Sequence, residues 1–565
     1  MENRKDRPEP YGRDWVRGAA VLGVAAVVSK LIGTAQKIPL QNIAGDGAFG
    51  MYSAVYPLYT FVLALAIAGF PASVSKWAAE KAAQGRHREA RTVLAIAGAT
   101  LSVVGLLCFA ALYFGADVFA GWIGIRGTAP AIRSVSFAFL FVPIMSALRG
   151  YFQGMHVMAP TAVSQVAEQC VRVAVMLAAL LYLTAAHASD SVIAAGAMFG
   201  STAGAAAGLA VMAGFWFRHV RAERLTAASS TGKAAERRRA NDAAACEPVF
   251  RLFRRFAASA LPIALGSVVL PLLTLVDSFT MPRLLLTKGY DETAAMAQFG
   301  LYNRGLALVQ LVAMVASSVS AALVPVVAEA MAKGDMFAVK RNAHRTLRLT
   351  WFGGLASSVG LAVLASPLNV MLFEDNAGTP VMAILAFAAV FNVVQIVSAA
   401  LLVGIGRERA MAYNMVAAAA VKVGLNLLLM PRWGIAGAAV AAVVAYGTAA
   451  AQNVLWLCRA TDVRFHWKDD AGKPLVALVA MCAVLYAVTF AFGRLFAFLP
   501  ADLPYRGEQT LLALTAVASG AFAYIAALLR TGAIGAAELG RLPVTGRKLL
   551  PMLRKLRIVK PEGGV

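Results

Sequence analysis

Apolar residues run along this chain in long blocks, and its polar positions gather in the short stretches between them. A helix of roughly 20 apolar residues spans the hydrocarbon core of a bilayer. Fourteen segments meet that requirement: 16–38, 51–75, 92–114, 130–148, 160–185, 191–217, 256–282, 298–328, 347–366, 380–403, 410–430, 434–458, 474–497 and 509–530. The pattern predicts an all-α polytopic membrane protein of about fourteen transmembrane helices, because only helices or closed barrels satisfy the backbone in lipid.

Composition agrees, with 60% hydrophobic and 14% charged residues, against about 25% charged in soluble domains. The polar start MENRKDRPEPYGRDW precedes an apolar run too long for a signal-peptide core, and is read as the lead-in to a retained first span. The net charge of +23 would suggest nucleic acid in a soluble chain. Here it follows topology. With the N-terminus placed in the cytoplasm, forty Lys and Arg fall in inner loops and tails, five within spans and seven in outer connections. That asymmetry is the positive-inside pattern for an even number of spans with both termini cytoplasmic, and nucleic acid is not an expected partner. Five cysteines (Cys108, Cys170, Cys246, Cys458 and Cys482) show neither metal nor redox spacing.

The longest polar stretch, 218–255, separates two sets of six spans and is basic, as expected of a linker lying against anionic lipid. A shift of 250 positions reveals an internal repeat. FGMY at 49–52 falls on FGLY at 299–302, and FQGMHVMAPTAVSQVAEQCVRV (152–173) falls on LVGIGRERAMAYNMVAAAAVKV (402–423). Two registers sharing one offset, equal to six spans, predict two parallel, pseudo-symmetric six-helix lobes. The expected organisation is a tail (1–15), an N-lobe (16–217), the linker (218–255), a C-lobe (256–458), helices thirteen and fourteen (459–530) and a basic tail (531–565). Repeated halves in transporters place the substrate site between them near mid-membrane.

Ionisable residues inside spans each cost roughly 2.5–3.5 kcal/mol on insertion scales, so they face a cavity or a partner. Lys30, Lys37, Arg172, Arg304 and Lys422 outnumber Glu168 and Asp277, a surplus suited to an anion. Lys30 and Lys37 are seven residues apart and fall near one helical face. Glu168 and Arg172 are four apart, the spacing of an intrahelical ion pair. Lys422 takes the place of Arg172 in the second repeat without an acid at that spacing. Lys37 and Arg304 lie near span ends, where snorkelling competes with a cavity role, and Asp277 is a candidate partner for these cations. Gly150, Gly154 and several prolines beside spans serve either helix bending or close packing. Neither a nucleotide motif, a metal-ligand spacing nor a nucleophile motif occurs, so neither metal nor other cofactor is expected. Outer connections of about 15 residues or fewer leave little room for an outer catalytic domain.

SKLIGTAQKIPLQNIAGDGAFGMYSAVYPLY, AGFPASVSKWAAE and LRGYFQGMHVMAPTAVSQVAEQCVRV resemble the polysaccharide-transport branch of the multidrug/oligosaccharidyl-lipid/polysaccharide exporter superfamily. The stage V sporulation protein B group and the lipid II flippases belong to that branch; LMPRWGIAGAAVA and GRKLLPMLRKLRI fit it too. The resemblance implies alternating-access flipping of undecaprenyl-pyrophosphate-linked saccharides across the bacterial cytoplasmic membrane, by a monomeric transporter without enzymatic chemistry. It implies a substrate-binding role for Arg304, since the flippases place an arginine in span eight close behind a tyrosine. Their Arg-Asp pair late in span one is replaced here by Gln36-Lys37, without the acid. Lys37, Arg304, Arg172 and Lys422 are thus the substrate-binding candidates, and Glu168, Asp277 and Lys30 the gating or ion-pair candidates. The alternative within the superfamily is a cation-coupled multidrug antiporter, which calls for unneutralised carboxylates in the first lobe.

Overall fold

The computed structural model describes residues 10–67, 69–229, 271–463, 467–498 and 504–534. Among these residues every regular element is helical. Contacts divide the chain into two units, Met1–Gly300 and Leu301–Val565.

The first unit contains α1 (Pro10–Ala35), α2 (Lys37–Ile67), α3 (Phe70–Ala83), α4 (His87–Phe114), α5 (Ala116–Ile123), α6 (Ala129–Ser136), α7 (Ala138–Gly154), α8 (Ala159–Ala185), α9 (Asp190–Ser229) and α10 (Leu272–Thr287). It also holds the first turns of α11 (Glu292–Ala332). The α8–α9 pair is its most extensive contact, α7 packs on α3 and α4, and α10 on α2. Small residues allow these approaches. A Cβ at Gly200 or Gly204 of α9 would lie 2.6 Å from the carbonyl oxygen of Arg172 or Glu168, respectively. Gly150 and Gly154 serve packing in the same way, since a Cβ there would meet the Pro71 and Ser75 carbonyls of α3. The two motif glycines also face one another across α2 and the start of α11. A Cβ on Gly50 would sit 2.0 Å from the Met296 oxygen, and one on Gly300 2.2 Å from the Asp46 oxygen.

The second unit holds the rest of α11, then α12 (Met336–Val363), α13 (Ala365–Phe373), α14 (Thr379–Gly404), α15 (Glu408–Trp433), α16 (Ile435–Thr461), α17 (Lys473–Phe498) and α18 (Tyr505–Arg530). One core joins α11, α12, α14 and α16 through Val327, Leu347, Val397 and Leu457. Another docks α17 and α18 on α12 and α13 through Phe352, Leu368, Leu485 and Tyr524, whose hydroxyl donates to the Phe352 carbonyl at 3.0 Å.

Eleven helical stretches among the described residues are long and apolar enough to cross a membrane, or twelve when α12 and α13, bent by 76°, count as one span. The difference from fourteen has definite origins. Expected spans one and two run together as Val21–Ala83, because the intervening IPLQNIAGDGAFG is itself helical, kinked at Gly45 with φ 75°. Expected span nine is the bent pair, and most of expected span seven, 256–282, lies outside the described residues. So do the greater parts of the linker (218–255) and of the C-terminal tail (531–565), with Cys246.

Candidate membrane-embedded charge sites

In the first unit the charges centre on α8. Arg172 donates to Glu168 at 3.0 Å, one helical turn away, while Arg149 of α7 reaches the other Glu168 oxygen at 2.9 Å. Arg149 also donates to Ser164 at 2.8 Å, and Ser164 to the Gly208 carbonyl at 3.0 Å. One carboxylate thus lies between two guanidinium groups, all three more than four-fifths buried. The glycine face of α9 brings backbone against backbone at this level. Arg172 is within electrostatic reach of the Tyr59, Tyr56 and Tyr52 hydroxyls of α2, and Tyr52 accepts from Gln36 at 3.3 Å.

Lys37 follows Gln36 and is buried at the start of α2. Lys30 is exposed, as are its neighbours Val27, Val28 and Leu31. The two lysines, seven residues apart, thus differ in burial. Asp277 is buried on α10, which packs against α2.

In the second unit Arg304 is 1% exposed. Its two terminal nitrogens donate to the two oxygens of Asp375, at 2.6 and 3.1 Å, and its guanidinium lies 5.4 Å from the centre of the Phe373 ring. The α13–α14 turn holds that carboxylate in place. Glu374 and Gly378 adopt positive φ, Ala377 N–H donates to Asp375 at 2.7 Å, and buried Asn369 donates to the Ala377 carbonyl at 2.8 Å. Partial burial works to raise the Asp375 pKa, but the Arg304 and Ala377 hydrogen bonds prevail and hold it below the usual carboxylate range. Asp375 is half exposed, whereas its arginine is not.

Lys422 of α15 is fully buried, with its ammonium 5.9 Å from the Tyr446 ring of α16. Arg149 and Asp375 join the charge set beyond the residues the sequence offered. Both stand where hydropathy ends a span, so they read as loop charges. The only signal for Arg149 was its place next to MSAL and five residues before Gly154; Asp375 pairs across 71 positions, a distance without a sequence signature.

Comparison with known proteins follows this geometry. The family profile described as "Polysaccharide biosynthesis protein" matches residues 15–331. The uncharacterized membrane protein YabM of Bacillus subtilis is 32% identical over 96% of this chain and 97% of its own length. The lipid II flippase MurJ of B. subtilis is 27% identical over 76% of this chain and 80% of its own. Stage V sporulation protein B of B. subtilis is 24% identical over 95% of this chain and 99% of its own. Two solved structures share the fold. A lipid II flippase MurJ in an inward closed conformation has a TM-score of 0.63 at 13% identity, over 90% of this chain and all of that one. An inward-facing multidrug resistance MATE family transporter of the MOP superfamily has a TM-score of 0.62 at 14% identity, over 77% of this chain and 94% of that one.

Proposed function

Because this chain belongs to the polysaccharide biosynthesis protein family of membrane transporters, we propose that it is a flippase for an undecaprenyl-pyrophosphate-linked saccharide in the bacterial cytoplasmic membrane. The headgroup is an anion, and the observation that carries the reading is Arg304: a buried guanidinium whose bidentate partner, Asp375, is half exposed on a turn. A diphosphate offers the same paired oxygens as a carboxylate with more charge. It competes with Asp375 for Arg304, and Asp375 holds the guanidinium in place between turnovers.

Lys37, Arg172 and Lys422 complete the proposed cationic set, with both termini in the cytoplasm and the lipid tail remaining in the bilayer. An inside-negative potential favours outward movement of such an anion by about 4–5 kcal/mol per 100 mV for a charge near −2, reduced by any protein cation that moves with it. The antiporter reading needs an available first-lobe acid. Glu168 is held between Arg149 and Arg172, which disfavours it as a cation site.

The test is ligand-dependent thermal stabilisation of the purified protein in detergent, wild type beside Arg304→Ala. Stabilisation by the diphosphate-linked saccharide that disappears in the variant is expected. Stabilisation by cationic drugs or Na⁺ alone, unchanged in Arg304→Ala, would overturn the flippase in favour of the antiporter.

A further inference from the structure

The second unit carries a pair of adjoining cavities that the transport reading leaves unused. One, of about 390 Å³, is almost wholly apolar and lies between α12, α14 and α16, lined by Trp351, Phe391, Val394, Gly447 and Val454. The other, of about 220 Å³, lies at the polar end of α12 and is lined by Arg341, His344, Arg345 and Arg348. Arg348 borders both. The basic residues recur at three- and four-residue intervals in KRNAHRTLRL, so one face of α12 carries them up to the point where the helix turns apolar.

The wall between the cavities is fixed. Arg348 pairs with Asp470 at 3.1 Å, donates to the Ala533 carbonyl at 2.7 Å and lies over the Phe352 ring at 5.3 Å. Asp470 also faces His344 at 3.8 Å, so its carboxylate is engaged by both Arg348 and His344. Arg341 and Arg345 line the basic cavity beside it.

We propose that these cavities form a binding site for one anionic membrane phospholipid, distinct from the transported substrate. Its phosphate rests against Arg341 and Arg345, and one acyl chain enters the apolar groove beside Trp351 and Phe391. The combination of an apolar slot and a basic mouth at the polar end of a membrane helix is what a phospholipid supplies from one molecule. Charge argues against the chain's own C-terminal segment as the occupant, since residues 535–565 carry seven Lys and Arg against two Glu. The charge pattern of the loops assigns this end of α12 to the cytoplasmic leaflet. A lipid seated there braces α12 against α14 and α16, the helices that hold the second unit together.

The test is native mass spectrometry of the full-length protein in detergent, titrated with phosphatidylglycerol or phosphatidylcholine. Tighter phosphatidylglycerol binding is expected. The double variant R341Q/R345Q should weaken that binding about 30-fold and abolish the preference. Gly447→Phe fills the groove, because a Cβ there meets only Phe391 at ordinary contact distance, 3.7 Å; it should weaken both lipids. Ala451→Phe serves the same purpose if Gly447→Phe unfolds, with lipid-free unfolding temperature as the folding check. Equal binding of the two lipids, or an unchanged preference in R341Q/R345Q, would overturn the proposal. So would unchanged lipid binding in a folded groove-filling variant, or displacement of phosphatidylglycerol by inorganic phosphate. Because Arg304 is untouched, this result and the flippase test fail independently.

Discussion

Arg172 and Lys422 occupy equivalent places in the repeat, yet their surroundings differ. Arg172 shares Glu168 with Arg149 in a hydrogen-bonded set of three charges. Lys422 has an aromatic face beside it, with Tyr446 at 5.9 Å. Both helices carry a buried cation at matching sequence positions, and in the first unit a carboxylate lies one turn away. A fork-shaped guanidinium suits two oxygens, and a compact ammonium suits a ring face. The repeat preserves the sign of the charge and lets the means of holding it differ.

The largest effect should come from removing the shared carboxylate. Glu168→Ala leaves two buried guanidinium groups without their counter-charge and is expected to cost about 3–5 kcal/mol, read as a lower unfolding temperature in detergent. Lys422→Met removes a single ammonium from beside the Tyr446 ring, and its cost should stay within about 2 kcal/mol. Equal losses would erase the contrast between the two sites. Gly204→Leu attacks the same network from behind: its Cβ would lie 2.6 Å from the Glu168 oxygen, and α8 and α9 must separate. We expect about 1–3 kcal/mol from that overpacking. Gly424→Leu on α15 meets open space at its Cβ and should be close to neutral in the same assay.

Exchanging the cations sharpens the point. Arg172→Lys keeps the charge but loses the guanidinium hydrogen bond to Glu168 at 3.0 Å, and should destabilise by about 1–2 kcal/mol. The smallest effect belongs to the half-exposed partner of Arg304, where an Asn still offers an oxygen to the guanidinium and water reaches the turn. The folded pKa of Asp375 is depressed, so its contribution is full above the unfolded carboxylate value near 3.9 and fades as pH falls through the folded value. Asp375→Asn should therefore lower the unfolding temperature slightly and by a constant amount between about pH 5 and 8. The gap from wild type should close in more acid solution; a gap that grew there would reverse the sign of the linkage.

Sequence reading reached the helices because about twenty apolar residues in a row have few alternatives in lipid. The buried cations were legible for the same reason, standing out as charges inside apolar runs. Their partners were not. Arg149 and Asp375 lie where a span and a turn meet, and a charge there looks like the end of a span whether or not it points inward. Lys30 and Lys37 show what phase leaves out: seven residues apart on the sequence, they differ in burial, because burial depends on which neighbours cover a turn. Glu168–Arg172 was available from spacing because the partner belongs to the same helix.

The glycines of the two FG-Y motifs carry one more implication, for heredity rather than mechanism. Duplication normally frees one copy of a segment to drift while the other retains its duty. Here Gly50 and Gly300 each press on main-chain atoms beside the other, with no side chain between them to shrink in compensation. A larger residue on either side wedges apart the same seam, and no complementary change opposite can relieve it. The two FG-Y motifs are bound to a common letter, each the other's constraint.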